Sequence, residues 1–477
     1  MASRKRRTWI PKGRWPSRQP NGEHGAPDFD RTFLAPLVLA STLNPLNTSI
    51  LATALVPIAR DMHVSPPAAT SLVAVLYLSS AVSQPAMGRL SLLWGTRRVF
   101  VGGLFVVVAG AVIGAVAPNL AWLLVARAVI GVGTSAAYPT SIAMIRERAI
   151  GLSSDVPRGP MAVLAIAGQA TSALGLPVGG LLVGLAGWRS TFLINVLLAA
   201  AAMVAAIVWL PPDRKRSSEE PQRKMDFAGI VMFAMSVTSL LVFLQHLAAS
   251  RLWIAGISLV ALVALVIREL RFHDPFIDVR MFAIGGLRRT YVRNGFSFVA
   301  IYTVLYGISQ WLETARGLSA AQTGVALFPM IVVSGLSSAV VARFNVLRPG
   351  LVLAGASIGA GGLLLLLLSE ESPTALIYAI TVVFGIGMGC AFIANQLALY
   401  QQADGPEIAV ATGLLRTSSY VAAIFSSSVI GFAFSGHDPQ EGLQLLGWVT
   451  AGLGAFVLLS PALDPSLRSA NIGPRTP

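Results

Sequence analysis

Residues 97–117, RRVFVGGLFVVVAGAVIGAVA, place nineteen uncharged and mostly apolar residues after two arginines. A helix needs roughly 20 apolar residues to cross a hydrocarbon core of about 30 Å. Thirteen further segments have the same character, so the sequence predicts fourteen membrane spans, at 32–58, 68–90, 97–117, 121–145, 160–185, 190–210, 227–247, 252–269, 290–313, 321–342, 349–369, 374–400, 408–434 and 442–461. Since the chain is 55% hydrophobic and only 12% charged, we predict an all-α polytopic membrane protein.

Positive charge alternates between successive loops of this topology. The loops after even-numbered spans hold most of the cations, among them Arg89, Arg97, Arg98, Arg146, Arg148, Arg343 and Arg348. The opposite loops hold only Arg60, Arg189, Arg251 and Arg316. Cytoplasmic loops carry such an excess. Both termini are therefore predicted to be cytoplasmic, in a multi-pass protein of the cell (inner) membrane. The net charge of +14 is explained by this distribution of cations about the lipid bilayer, so it does not indicate a nucleic-acid partner.

Composition also divides the chain into regions. The segment 211–226, PPDRKRSSEEPQRKMD, is rich in proline, serine and charge, which is typical of a linker. The predicted regions are a basic cytoplasmic tail (1–31), an N-terminal six-helix half (32–210), a cytoplasmic linker (211–226), an inserted helix pair (227–269), a cytoplasmic loop (270–289), a C-terminal six-helix half (290–461) and a cytoplasmic tail (462–477).

An internal repeat supports two related halves. GVGTSAAYPTSIAM begins at Gly131 in the fourth span, and GIGMGCAFIANQLA begins at Gly385 in the twelfth. At the same offset Gly133 matches Gly387. Many secondary transporters are built from two repeated halves around a site near the bilayer midplane.

Four local stretches carry a family resemblance: GRLSLLWGTRRVF at 88–100, RAVIGVG from Arg127, GLPVGGLLVGLAGWRSTFLIN from Gly175, and LNPLNTSILATALVPIA at 43–59. Over about residues 35–460 the chain resembles the major facilitator superfamily, and more narrowly its fourteen-helix drug:proton antiporter branch. The resemblance implies a major-facilitator fold, with two six-helix halves plus two inserted central helices. It also implies export of small lipophilic compounds by alternating access, in exchange for protons.

The resemblance assigns gating roles to two of these stretches. In the family the 88–100 loop latches the halves through charge pairs, but its usual aspartate is Leu92 here. The Gly-Pro-x-x-Gly-Gly signature has its proline displaced by one position. Proline bends a helix and glycine allows close helix approach. The predicted gating residues are Gly88, Gly95, Arg97, Arg98, Gly175, Pro177, Gly179 and Gly180.

Polar and aromatic residues inside the spans are candidate substrate contacts. A mostly apolar pocket with few placed polar groups suits a small lipophilic ligand, although interhelical hydrogen bonding is an alternative role for each of them. Arg127 and Arg416 give the interior positive character, which favours neutral or anionic compounds over cations. The candidates are Asn44, Asn47, Tyr77, Gln84, Tyr138, Gln169, Tyr302, Tyr306, Gln310, Asn395, Gln396 and Arg416, with Phe392 as an aromatic wall.

The sequence lacks the carboxylate that members of the family usually carry for proton coupling. Asn47 stands at the aspartate position of the first span, and no Asp or Glu lies in the middle third of any predicted span. Glu313 is the remaining candidate carrier, with Arg127 as a coupling residue. The alternative is a solvated Glu313 paired with Arg316, and Asp61 is a weaker candidate.

Enzymatic signatures are absent from the sequence. The Gly-x-Gly pieces at 131 and 385 lie inside apolar spans, and no zinc or nucleophile constellation emerges. We therefore predict no enzyme, cofactor or metal, and a monomer whose partners are a small lipophilic substrate, protons and the bilayer. Two alternatives are an uncoupled facilitator or nutrient carrier, and a non-transporting receptor or assembly factor on a transporter scaffold.

Overall fold

The computed structural model describes residues 29–64, 66–151, 158–213, 226–245, 249–272, 275–277, 279–318, 320–344, 346–403, 408–434 and 438–467. Within these ranges the chain forms fourteen α-helices and no β-strand. They are α1 (Arg31–Asp61), α2 (Pro66–Trp94), α3 (Thr96–Ala115), α4 (Leu120–Gly151), α5 (Arg158–Ala186), α6 (Ser190–Trp209), α7 (Phe227–Gln245), α8 (Leu252–Arg271), α9 (Gly285–Thr314), α10 (Ala320–Phe344), α11 (Leu347–Leu365), α12 (Thr374–Gln402), α13 (Ile408–Phe434) and α14 (Pro439–Leu459). The predicted tail at 1–28, most of the linker at 214–225, and residues 468–477 lie outside the described residues.

Twelve helices in the described part of the chain are long and apolar enough to cross a membrane. The prediction of fourteen spans is thus confirmed for twelve helices. The remaining two, α2 and α5, each contain residues whose side chains the structure does not describe.

The two halves repeat the same helix packing. In the first half α3 packs on α4 and α6, α2 packs on α4, and α1 packs on α5 and α6. Adding eight to each helix number gives the second half, where α11 packs on α12 and α14, α10 on α12, and α9 on α13 and α14. All twelve described helices outside the inserted pair thereby take part in equivalent pairings, six in each half.

The repeated glycines explain part of this equivalence. A Cβ atom at Gly131 would meet α2, and one at Gly385 would meet α10. A Cβ atom at Gly133 would meet α3, and one at Gly387 would meet Ile358 of α11. Each glycine pair therefore permits the same close helix approach in its own half.

The helices alternate in direction, which gives the bundle two chemically different ends. Thr96 Oγ1 at the start of α3 donates to Glu147 Oε2 near the end of α4, 3.2 Å away. At the other end, Trp188 Nε1 donates to Asp61 at the end of α1, 3.0 Å away. We call the end where α1 begins the basic end, because it carries Arg89, Arg97, Arg98, Arg146, Arg148, Arg268, Arg271, Arg343 and Arg348.

The inserted helices α7 and α8 form a hairpin beside the junction of the two halves. Arg268 near the end of α8 pairs with Asp226, the residue before α7. Helix α7 packs on α2 of the first half and on α13 of the second. At its far end Ser428 of α13 donates to the carbonyl of Leu244. The hairpin therefore contacts both halves.

Candidate functional site

The two halves meet most closely at the basic end, where α2 and α13 touch through their backbones. A Cβ atom on Gly88 would lie 2.7 Å from the carbonyl carbon and oxygen of Ala409. A Cβ atom on Gly413 would lie 2.8 Å from the carbonyl of Gln84. Arg146 Nη1 also donates to the carbonyl of Ala403, 3.2 Å away across the halves. Gly88, a predicted gating residue, therefore lies at the junction.

Two other predicted gating residues of the 88–100 loop, Arg97 and Arg98, bind within their own half. The carboxylate of Asp213 accepts hydrogen bonds from the backbone N–H groups of Arg97 (2.8 Å) and Arg98 (3.1 Å) at the start of α3. Gly95 precedes them with a φ of 98°, a conformation that favours glycine. Arg97 Nη2 donates to the carbonyl of Ile207 at 2.7 Å. These arginines thus contact α6 and its end, not the other half as the family latch implies, and Asp213 was missed by the sequence analysis.

A hydrogen-bond chain crosses the junction deeper in the bundle. Gln84 Nε2 donates to the hydroxyl of Tyr420 at 3.0 Å, and that hydroxyl donates to Asn44 Oδ1 at 3.1 Å. Asn44 Nδ2 in turn donates to Thr134 Oγ1 of α4 at 3.0 Å. Thr417 Oγ1 donates to the carbonyl of Ala81 at 2.6 Å. The structure thus brings the predicted residues Asn44 and Gln84 together through Tyr420, which the sequence analysis missed.

Aromatic side chains from both halves surround this chain of hydrogen bonds. Tyr77 of α2 lies 5.5 Å from Tyr420 between ring centroids, and Tyr302 and Tyr306 of α9 stack at 5.7 Å with an interplanar angle of 10°. Phe392 of α12 lies 6.2 Å from Phe298. We call the following set the central aromatic cluster: Tyr77, Tyr138, Phe298, Tyr302, Tyr306, Phe392 and Tyr420.

Arg416 lies inside the central aromatic cluster. Its guanidinium carbon is 4.0 Å from the ring centroid of Tyr138 and 5.0 Å from that of Phe392. Tyr138 belongs to α4 of the first half, whereas Arg416 and Phe392 belong to the second. Cation–π contact of this kind stabilises a desolvated guanidinium. Three predicted substrate residues are thereby brought together across the junction.

Arg127 lies in the interior of the first half with 1% of its surface exposed. Its Nε donates to the carbonyl of Leu72 at 3.2 Å, and its Nη1 donates to Asn47 Oδ1 at 3.4 Å. Asn47 Nδ2 donates to Asn195 Oδ1 of α6 at 2.6 Å. Arg127 therefore faces the bundle interior, and the amide of Asn47 is bonded within its own half.

The predicted polar residues of α12 lie nearer the basic end. Asn395 Oδ1 accepts a hydrogen bond from Arg293 Nε at 2.8 Å, and Gln396 Nε2 donates to Tyr400 at 2.6 Å. Arg293 Nη1 is also 3.5 Å from Asp464 Oδ2, and Arg289 Nε is 3.0 Å from Asp464 Oδ1. We call Arg289, Arg293 and Asp464 the terminal ion cluster. The sequence predicts Arg293 to be one of the loop cations before the span at 290–313, but α9 begins earlier, at Gly285, which carries Arg293 into the bundle.

The candidate proton carriers Glu313 and Asp61 lie at the opposite end, as does Gln310, which is a predicted substrate contact. Glu313 and Gln310 are exposed near the end of α9. Arg316 donates to the carbonyl of Ser372, and no ion pair joins it to Glu313 among the described residues. Hydrogen bonds from Trp188 and from Arg189 lower the pKa of Asp61. Asp61 is therefore a paired carboxylate at the protein surface.

The glycine-rich face of α5 packs within the first half. Cβ atoms at Gly175 and Gly179 would meet Ser49 and Thr53 of α1, whereas one at Gly180 would meet nothing within 4 Å. This face therefore supports the α1–α5 contact, and a separate contact joins α5 to α10 of the other half. The side chains of two predicted residues, Gln169 and Pro177, lie outside the described set.

Replacing Tyr420 by phenylalanine is expected to loosen the junction. The change removes the two hydrogen bonds to Gln84 and Asn44, each worth about 0.6 kcal/mol inside a membrane protein. We expect a roughly fivefold rise in the labelling rate of a cysteine introduced at Val410, which is 3% exposed at the junction. Tyr378→Phe, at an exposed position on α12, is the matched control. An unchanged labelling rate in Tyr420→Phe would contradict a role of this hydroxyl in closure.

Comparisons with known proteins agree with this architecture. The family model described as Major Facilitator Superfamily matches residues 37–427 of this chain. YwoD of Bacillus subtilis (strain 168), named an uncharacterized MFS-type transporter, is 31% identical over 450 residues, which cover 92% of this chain and 98% of YwoD. The multidrug resistance protein Stp of Mycobacterium tuberculosis (strain CDC 1551 / Oshkosh) is 26% identical over 430 residues, covering 86% of this chain and 74% of Stp.

A solved structure shares the fold. The crystal structure of the human organic anion transporter MFSD10 (TETRAN) superposes with a TM-score of 0.63 at 16% identity, covering 90% of this chain and 99% of that chain. The family match spans most of the chain, and the alignment with YwoD covers nearly the full length of both proteins. This chain therefore belongs to the major facilitator superfamily, a family of multi-pass membrane transporters.

Proposed function

We propose that this protein is a secondary transporter that exports small lipophilic compounds by alternating access between its two halves. The observation that carries the proposal is the central aromatic cluster, in which α2 and α4 of the first half meet α9, α12 and α13 of the second around Arg416. Such a junction can bind a compound and be exposed to either side in turn. The name of Stp, a multidrug resistance protein, supports export of drug-like compounds.

The topology proposed for the cell (inner) membrane has fourteen spans, with α2 and α5 included and both termini in the cytoplasm. The positive-inside bias supports a cytoplasmic position of the basic end. The hairpin α7–α8 between two six-helix halves supports the fourteen-helix drug:proton antiporter branch. In this orientation the backbone contacts at Gly88 and Gly413 close the cytoplasmic side.

Proton antiport with Glu313 as the carrier is the coupling that the resemblance implies. An uncoupled facilitator is a second candidate, and it is favoured by the position of the carboxylates. Among the described residues, Glu313 is exposed at one end of α9, and the interior cations Arg127 and Arg416 form no ion pair with an acid. A proton carrier normally lies where the substrate or a conformational switch can change its pKa.

Proteoliposomes with a pH-sensitive dye inside distinguish the two candidates. With lipophilic substrates added outside, we expect substrate movement without proton flux, and equal movement by wild type and Glu313→Gln to within twofold. The reason is the distance along α9 between exposed Glu313 and the cluster residues Tyr302 and Tyr306. Substrate-driven proton flux that is lost in Glu313→Gln would instead establish an antiporter. No substrate movement at all would overturn the transport proposal.

A further inference from the structure

The side chain of Arg416 holds a charge that the described protein does not neutralise. Ion pairs within the described residues join Asp213 to Arg98, Asp61 to Arg189, Asp226 to Arg268, and Asp464 to Arg289 and Arg293. Arg416 is in none of them, and its Nε atom is buried without a hydrogen-bond partner among the described residues. A desolvated charge is stabilised by an opposite charge, which aromatic rings replace only in part.

Arg416 differs in its surroundings from Arg127, the predicted coupling residue. Arg127 is 1% exposed, and its guanidinium bonds the carbonyl of Leu72 and the amide oxygen of Asn47. Both partners belong to the first half. Arg416, in contrast, is half-buried and contacts the rings of Tyr138 and Phe392 from opposite halves. It is therefore the arginine that a ligand between the halves can reach.

The surroundings of Arg416 suit a flat ring with an acidic group. The parallel pair Tyr302 and Tyr306 offers ring faces of the kind that stack on another aromatic ring. The guanidinium offers a planar set of donors that matches a carboxylate or sulfonate. A cationic ligand would meet the guanidinium of Arg416, which has no acidic partner among the described residues, and would be repelled.

We propose that the central aromatic cluster binds a lipophilic organic anion, an aromatic carboxylate or sulfonate whose acidic group pairs with Arg416 while its ring stacks on the tyrosines. This inference rests on the proposed export function and names its substrate class. Arg416 is then the residue that selects the charge of the substrate, and the tyrosines select its aromatic character.

Three probes with one ring system test the proposal: 2-naphthoate (anion), 2-naphthamide (neutral) and 2-naphthylmethylammonium (cation). Each radiolabelled probe is loaded into proteoliposomes that contain the full chain, and its release rate is measured. The release rate from protein-free liposomes is subtracted as background. We expect wild type to release naphthoate at least tenfold faster than the ammonium compound. Arg416→Gln should lose naphthoate release at least tenfold and keep naphthamide release within twofold. Arg416→Lys should recover part of the naphthoate release, because it keeps the charge.

Arg343→Gln, an exposed arginine at the end of α10, is the matched control and should behave as wild type. Faster release of the ammonium compound than of naphthoate by wild type would overturn the anion proposal and leave export intact. An equal loss of all three probes in Arg416→Gln, with no recovery in Arg416→Lys, would show a structural role and overturn it too. If wild type releases none of the three probes, this inference is overturned. If wild type also fails to move any of the lipophilic substrates tested under the proposed function, export itself is overturned.

Discussion

Alanine in place of Gly88 is expected to abolish transport while the protein still folds. Its Cβ atom would lie 2.7 Å from the backbone carbon and oxygen of Ala409, a separation that real Cβ atoms do not adopt. Because the obstructing atoms are backbone, no side-chain rotation relieves the clash, and α2 and α13 must move apart. These helices belong to different halves, so the packing inside each half is preserved and only closure at the basic end is lost.

The labelling rate of a cysteine at Val410 measures this closure directly. The native Cys390 is buried in α12, so a membrane-impermeant maleimide meets little competition from it. We expect Gly88→Ala to raise labelling from the basic end at least tenfold and to reduce transport below a tenth of wild type. Gly102→Ala is the matched control, because a Cβ atom there meets nothing within 4 Å. Normal transport by Gly88→Ala would show that this contact is no part of the cycle.

Loss of the Asp464 carboxylate is expected to cause the largest drop in stability. The side chains of Asp464 and Arg293 are both 0% exposed, and Arg289 is the second cation of the cluster. Removing one partner of a buried ion pair leaves a desolvated charge and costs about 3–5 kcal/mol. Asp464→Ala should therefore unfold well below wild type in a thermal scan in detergent.

Two variants distinguish a stability loss caused by an unpaired buried charge from a loss caused by any substitution at an ion pair. Arg98→Ala removes a surface partner that is 80% exposed and 3.9 Å from Asp213, so it should change stability by about 1 kcal/mol or less. The double variant Arg293→Met/Asp464→Leu replaces the ion pair by apolar groups and should recover much of the loss. An Asp464→Ala variant as stable as Arg98→Ala would contradict a structural role of the terminal ion cluster.

The features that depend on local sequence could be predicted. Apolar runs of about 20 residues located the helices, since the bilayer sets their length. The glycine pairs Gly131/Gly385 and Gly133/Gly387 indicated equivalent close contacts, because a missing side chain has the same effect wherever it occurs. Gly88 could likewise be singled out, although its partner Ala409 could not.

The features that depend on distant partners could not be predicted. Tyr420 bonds Gln84 across 336 residues of sequence, and Asp213 bonds Arg97 across 116. Nothing in the sequence around Asp213 or Tyr420 distinguishes either residue from an ordinary loop or helix residue. The sequence leaves Asn47 open between a substrate contact and an interhelical hydrogen bond, because it does not reveal that Asn195 lies 2.6 Å away. The role of a polar residue in a bundle is set by the helix that faces it.

The unpaired charge of Arg416 has an electrical consequence for the export of the anion proposed above. Across a membrane that is negative on the cytoplasmic side, the empty site is drawn inward by its positive charge. Once the anion binds, the charge on Arg416 is neutralised, and the potential no longer opposes movement outward. Each turnover moves one negative charge out, which is worth about 2.3 kcal/mol per 100 mV. That energy sustains a concentration ratio of roughly 50, so the membrane potential alone can drive export without a proton carrier in the helices.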